Sequence, residues 1–217
     1  MNKTVDLVTK WAKFVEKYPQ ASIDDFCRHH LITKRENKNI NNLFSGTGLP
    51  PNNNIILTKL INRINKLNLL YFNLVLPETG LEHMDDFQFL VIISNLKNPM
   101  KTEVINHNFS ELSTGLLIIE RLKKRKYITE HSNPDDKRSK RLKITEKGQK
   151  ILDGCYAKLR RIHEMMYYDL SEEDIKLCIQ LLQGVEIKFS KLWHTQKGKT
   201  FNQIYKEVIS NPKKKLF

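Results

Sequence analysis

Along most of this chain apolar residues recur at steps of three and four, the spacing that gathers side chains on one face of an α-helix. Over residues 3–18 the positions are Val5, Val8, Trp11, Ala12 and Val15, and Tyr18 followed by Pro19 predicts a stop, because proline cannot continue the hydrogen-bond ladder. Ser22 is a good N-cap, with Asp24 and Asp25 favoured by the helix dipole, and Ile23, Phe26, Cys27, His30 and Leu31 form the stripe of a second helix to about Arg35. From Glu36 to Asn54 the pattern gives way to Asn, Gly and Pro, which is turn chemistry and predicts a linker or surface loop. A ladder at Ile56, Leu60, Ile64, Leu67, Tyr71 and Leu74 then predicts a helix of about six turns. Pro77 and Gly80 end it. Residues 84–97 read as another helix, apolar enough in its middle to be buried on most sides, and Asn98 with Pro99 predicts the cap and first helical position of a helix reaching about Asn108.

The period changes after the next helix, Glu111 to Lys126. Residues 127–131 read as a strand, 132–139 as a polar tip, and 140–144 as a return strand in which Leu142 and Ile144 alternate with charge. Thr145 begins a helix with Ile151, Cys155, Leu159, Ile162 and Met166 on one side. Ser171 caps another, whose Ile175, Cys178, Leu182, Val185, Phe189 and Leu192 step three, four, three, four, three, a seam suited to helix-on-helix packing. Short helix, turn, helix, hairpin, helix over residues 101–150 describes a winged helix-turn-helix. The predicted fold class is mainly α (α+β), with a small β-hairpin wing and long dimerisation helices. The predicted organisation is a helical extension and linker (1–52), a winged-helix and dimerisation domain (53–197, core 84–148) and a basic C-terminal tail (198–217).

Charge sharpens this picture. The 217 residues are 40% apolar, enough for a real core, and carry a formal charge of +13. Residues 121–150 hold 12 basic against 4 acidic residues, a net +8, so the excess sits in the second helix and wing, where a nucleic-acid-binding element needs it. Cys27, Cys155 and Cys178 are an odd number with no C-x-x-C pair, which suits a reducing cytosol better than a disulfide scaffold. The first residues have no apolar run long enough for a signal or spanning segment, and no membrane role is expected.

Residues 120–152 carry three linked motifs with their spacing intact: Arg121-Leu122 through Tyr127-Ile128, Asn133-Pro134-Asp135-Asp136-Lys137-Arg138, and Ile144-Thr145-Glu146-Lys147-Gly148. Together they resemble the MarR family of bacterial winged-helix transcription regulators, in which a recognition helix ends in R-L-x-x-x-G-(L/Y)-(I/V), the wing reads (D/N)-P-x-D-x-R, and the second wing strand runs into L-T-x-x-G. The resemblance covers about residues 53–195. It implies a cytoplasmic, nucleoid-associated homodimer that binds double-stranded DNA at a pseudo-palindromic operator, a ligand-responsive repressor rather than an enzyme. It also implies a small lipophilic or phenolic effector between the dimer helices and the winged domain, and no cofactor.

Under that resemblance the DNA-binding set is Lys101, Thr102, Ser113, Thr114, Leu117, Arg121, Lys137, Arg138, Lys140 and Arg141, with Asp136 supporting the wing. Ser113 and Thr114 stand at the exposed start of the recognition helix and can bond bases or phosphates. Arg138 has the reach to enter a narrow minor groove, while Lys137, Lys140 and Arg141 flank phosphates, positioning the protein without specifying sequence. Leu116, Leu117 and Ile118 stand where the family often has polar residues and suit thymine methyls or a backbone-driven mode. The dimerisation set is Ile56, Leu60, Ile64, Leu159, Ile162, Ile175, Leu182 and Phe189. Two alternatives are a winged-helix protein-interaction module and a non-specific DNA-binding module.

Other candidate chemistry is weaker. Cys27-Arg28-His29-His30 has no second cluster at ligand spacing and adjacent histidines on a helix diverge, so no metal is expected. Asp85-Asp86 and Glu172-Glu173 sit in first turns, where the dipole explains them. No phosphate-binding glycine loop, nucleophile elbow or zinc-protease motif occurs.

Overall fold

Short polar side chains set where the helices begin. Asn2 Oδ1 accepts the Thr4 N–H at 2.9 Å and opens α1 (Lys3–Lys17). Ser22 and Asp25 exchange backbone-to-side-chain bonds of 2.9 and 3.2 Å, a reciprocal capping box ahead of α2 (Ile23–Lys34). The computed structural model describes residues 2–34, 48, 52–133, 139–196 and 198–210.

The chain divides into two compact units, Met1–Ile64 and Asn65–Phe217, with the division inside the long helix α3 (Asn53–Val75). In the first unit α1 and α2 pack through aromatic rings. Trp11 meets Phe26 edge-on at 5.2 Å, Phe14 lies 5.5 Å from Phe26, and His29 packs on Phe14 at 5.0 Å. His29 and His30 therefore serve this small cluster, where His30 stacks on Phe26 at 5.9 Å. Among the described residues no group of three or more His, Cys, Asp or Glu is placed to hold a metal ion.

The second unit holds the main core. After a short turn of 3-10 helix (Leu76–Glu78) come α4 (Met84–Leu96), α5 (Lys101–His107) and α6 (Leu112–Lys124), then β1 (Ile128–Ser132) and β2 (Lys140–Ile144), and last α7 (Glu146–Tyr167), α8 (Glu172–Thr195) and α9 (Phe201–Ile209). The strands pair antiparallel from Ile128 opposite Ile144 to Ser132 opposite Lys140. Phe72, Phe89, Leu90, Ile119, Leu122 and Leu142 are fully buried between these elements. Two glycines mark where backbones close in. A Cβ on Gly115 of α6 would lie 2.4 Å from Ile105 Cγ1 of α5, and one on Gly148 of α7 would lie 2.1 Å from the Tyr127 carbonyl oxygen. The T-x-x-G motif is thus structural: Thr145 Oγ1 caps the Gly148 N–H at 3.0 Å while glycine lets α7 reach the strand.

Three expectations need correction. Residues 201–209 form α9, opened by Thr200 and Gln203 in a capping box with a 2.8 Å bond, where a tail was expected. Asn98 and Pro99 do not open α5. Lys97 and Asn98 take left-handed φ of 51° and 69°, the Pro99 carbonyl accepts the Leu142 N–H at 2.8 Å, and Met100 is the N-cap, bridging to Arg141 beside the hairpin. Leu159 and Ile162, expected on the dimer seam, are 6% exposed and belong to the chain's own core, because α4 lies against this stripe of α7.

Candidate nucleic-acid interface

Helix α6 has one face in the core and one in solvent. Gly115, Ile118, Ile119 and Leu122 point inward, while Ser113, Thr114, Leu116, Leu117 and Lys124 are exposed, Leu117 at 69%. The apolar run 116–118 is therefore split between two surroundings. The N-cap of α6 is Glu111, so Ser113 and Thr114 lie inside the first turn on the open face, which frees them from a capping role.

The surrounding cations divide into two kinds. Lys140 is exposed, as is the neutral Thr102, and Lys140 Nζ lies 3.2 Å from Ser132 Oγ across the hairpin. Lys101, Arg121 and Arg141 are tied into the protein. Lys101 Nζ sits 2.8 Å from Glu130, and Lys123 lies 2.5 Å from the same carboxylate. Arg121 donates through Nε at 2.8 Å and Nη2 at 2.5 Å to Asp86 Oδ1, and Asp86 is 1% exposed. Arg141 donates through Nε at 2.8 Å to Asn133 Oδ1 and through Nη1 at 3.0 Å to the Asn98 carbonyl. Asp136, Lys137 and Arg138 lie outside the described residues.

Sequence reasoning missed the carboxylates and amides that hold this surface in shape. Asp86 does double duty: its Oδ2 accepts the Glu82 and His83 N–H groups at 3.0 and 3.1 Å ahead of α4, while Oδ1 takes Arg121 of α6. Asn133 closes the base of the wing, its N–H reaching the Ser139 carbonyl at 3.2 Å and its Nδ2 reaching Ser139 Oγ at 2.8 Å. Arg125 pairs with Glu82 and donates to the Gly80 carbonyl at 3.0 Å, where Tyr127 Oη also donates at 2.7 Å. Lys126 occupies the place of the motif's glycine and carries a left-handed φ of 60°, which glycine adopts without strain.

Electrostatics follow from this wiring. The Lys101 and Lys123 ammonium groups beside Glu130 hold its carboxyl below the ordinary value of 4.5, and Glu130 with Glu120 holds the Lys123 ammonium above its ordinary 10.5. Glu130 therefore stabilises the fold above about pH 4.5, and the contribution is lost as pH falls through its lowered folded value. Hydrogen bonds to charged groups contribute about 1.5–3 kcal/mol, and partial exposure of both lysines reduces this, so Glu130→Gln is expected to cost about 1–2 kcal/mol at pH 7. Urea unfolding of both proteins at pH 7 and pH 3 checks the point. The gap between them should close at pH 3, and an undiminished gap would contradict the ion-pair assignment.

Cys155 is buried and its thiol is pushed up by burial, which disfavours the reactive thiolate. No described helix is long and apolar enough to cross a membrane.

The residues expected at a dimer seam fall into three groups in the single chain. Ile56, Leu60 and Ile175 are half-buried, Ile64, Leu182 and Phe189 are 42%, 37% and 51% exposed, and Leu159 and Ile162 are interior. Further apolar side chains stand open on α8, with Ile179 at 56%, Leu181 at 59% and Val185 at 55%.

No family model and no curated protein matches this chain. Solved structures do. A SlyA-like transcription regulator from Listeria monocytogenes is similar at 21% identity over 65% of this chain and 95% of its own, with a TM-score of 0.60. A mutant MarR from E. coli complexed with operator DNA is similar at 22% identity over 59% of this chain and 92% of its own, with a TM-score of 0.55. CouR from Rhodococcus jostii, bound to p-coumaroyl-CoA, is similar at 20% identity over 59% and 90%, with a TM-score of 0.54. At these identities the shared property is the fold, and the hairpin with its flanking helices is that of the MarR and SlyA structures.

Proposed function

We propose that the chain is a MarR-type transcriptional regulator that binds double-stranded DNA as a homodimer and acts as a ligand-responsive repressor. The observation that carries this reading is the open face of the N-terminal half of α6, where Ser113, Thr114 and Leu117 are exposed to solvent. It stands on a fold shared with a protein solved on operator DNA. Ser113 and Thr114 can bond base edges or phosphates, and Leu117 suits a thymine methyl. Lys140 and the wing residues Lys137 and Arg138 supply phosphate and minor-groove contacts, while Asp136 steadies the wing. Lys101, Arg121 and Arg141 act one step back: their internal pairs hold α6 and the hairpin at a set angle.

The open apolar faces of α3 and of α8 support the dimeric reading, since their burial would supply a driving force for association. Ile64 is exposed on α3, and Leu182 and Phe189 are exposed on α8. A two-fold axis would place two α6 helices in successive major grooves about one helical turn apart. An effector regulates such a dimer by binding one spacing of the two helices better than the other.

Selection of bound fragments from a random duplex library, repeated at two salt concentrations, tests the reading. An inverted repeat with half-sites about ten base pairs apart, bound with affinity that falls steeply with salt, is the expected result. Salt-sensitive binding without a shared motif would replace specific regulation by non-specific DNA binding. The exposed Leu116 and Leu117 favour a second reading, a protein-interaction module, which absence of binding at low salt would select.

A further inference from the structure

In the first unit α1 and α2 enclose a groove of about 440 Å3, within the range of about 300–1,000 Å3 typical of small-molecule sites. Lys10, Lys13 and Lys17 recur at steps of three and four, so they stand along one face of α1, and all three line the groove. Its floor is aromatic. Phe14 and Phe26 are buried 5.5 Å apart, Tyr18 packs on Phe14 at 5.1 Å, and His30 stacks on Phe26 at 5.9 Å.

Every polar side chain of this lining can donate a hydrogen bond: the three ammonium groups, the Tyr18 hydroxyl, the two imidazoles and the Thr33 hydroxyl. Thr33 Oγ1 is spent on the backbone carbonyls of His29 and His30, at 2.9 and 3.2 Å. No carboxylate lines the groove among the described residues. Asp6, outside the lining, pairs with Lys10 at 2.7 Å, while Lys17 Nζ leans over the Tyr18 ring, 5.3 Å from its centre. Lys13 and Lys17 therefore meet no carboxylate among the described residues. Cations set over a floor of rings call for an anion with a flat body. Two unmatched ammonium groups favour a group with more than one negative charge over a single carboxylate, because each further charge adds its own attraction. A phosphate monoester meets that demand, with a charge of about −1.5 to −2 at pH 7 and three strong acceptor oxygens.

We propose that this groove binds a flat aromatic molecule bearing a phosphate monoester, the class of a nucleoside monophosphate. Its ring lies against Tyr18 and the imidazoles, and its phosphate between Lys13 and Lys17. Helices α1 and α2 precede the residues that carry the family resemblance, so the site belongs to the N-terminal extension and stands independently of whether the chain binds DNA.

Calorimetric titration of the full chain with adenosine monophosphate tests this, beside parallel titrations with adenosine and with inorganic phosphate. Adenosine monophosphate is expected to bind saturably with one molecule per chain, and the other two at least tenfold more weakly. Lys13→Glu, at an exposed helix position, should weaken adenosine monophosphate about tenfold or more, since it removes an ammonium and sets a carboxylate beside the phosphate. Tyr18→Ala should weaken it about tenfold, the usual worth of one base stacked on an aromatic ring. Circular dichroism checks that both variants keep their helices, and should Tyr18→Ala fail to fold, Lys13→Glu decides. Adenosine bound as tightly as its monophosphate would overturn the proposal, because charge would then play no part. Inorganic phosphate bound as tightly would do the same, because the rings would play none. Absence of saturable binding by adenosine monophosphate would also end it, as would binding untouched by Lys13→Glu and lost in Lys140→Glu, which would place the phosphate on the wing.

Discussion

Leu182→Asp is expected to leave the chain a monomer and to weaken its hold on a duplex with two half-sites by a factor of about 10²–10⁴, the range by which linking two binding modules raises avidity. Leu182 is 37% exposed on a helix that also presents Val185 at 55% and Phe189 at 51% one and two turns on. An aspartate there would carry an unpaired charge into the proposed dimer interface, which costs several kcal/mol unless a partner is found. The side chain is peripheral to the core of the single chain, so the fold itself should persist with little change in circular dichroism. Light scattering at micromolar concentration and titration with the selected duplex provide the two readouts. A stable dimer in the variant would refute the role of this face, and a monomer with undiminished affinity would refute the two-half-site mode of binding.

Asp86→Ala should be the most destabilising single change, with an expected loss of about 3–5 kcal/mol, the usual result of removing one member of a buried ion pair. Its carboxylate is 1% exposed and serves both Arg121 and the backbone N–H groups of Glu82 and His83. Removing it strips the cap from α4, leaves a guanidinium without its buried partner and opens a void. Against a typical total stability of about 5–15 kcal/mol this is a large fraction, and it should appear as a marked fall in the urea midpoint. Replacing both partners, with Asp86→Leu and Arg121→Met together, should recover part of the loss, because the desolvation of two charges is removed with them. A loss below about 1 kcal/mol for Asp86→Ala would show that Arg121 is held by solvent and Glu82 instead, and would return it to the DNA-facing set.

These two positions differ in how visible they were. The apolar stripe containing Leu182 was legible because helical periodicity is a property of the chain itself, and Leu182, Val185 and Phe189 stand exposed on α8. Asp86 was visible only as a favourable residue in a first turn. Its partner is 35 residues away, and no local pattern pairs Asp86 with Arg121 rather than with water. Lys101 and Arg141 were likewise legible as positive charges, while Glu130, Asn133 and the Asn98 carbonyl that hold them were not. The signal for α9 is short and lies between Gly198 and a Pro-Lys-rich ending: Phe201, Ile204, Tyr205 and Val208 recur at helical spacing behind the Thr200 and Gln203 box.

Interactions within about one helical turn or across one tight hairpin were written in the sequence. They include the caps at Ser22, Thr145 and Ser171, the presence of the two hairpin strands, and the apolar stripes of α3, α4, α7 and α8. Tertiary structure alone decided what each stripe meets. Leu159 and Ile162 look on paper like Leu182 and Phe189, yet the first pair is covered by the chain's own core and the second stands open. Periodicity defines a face and its polarity, whereas the element that covers it, and the carboxylate that claims each cation, depend on contacts between distant parts of the chain that form only when the chain folds.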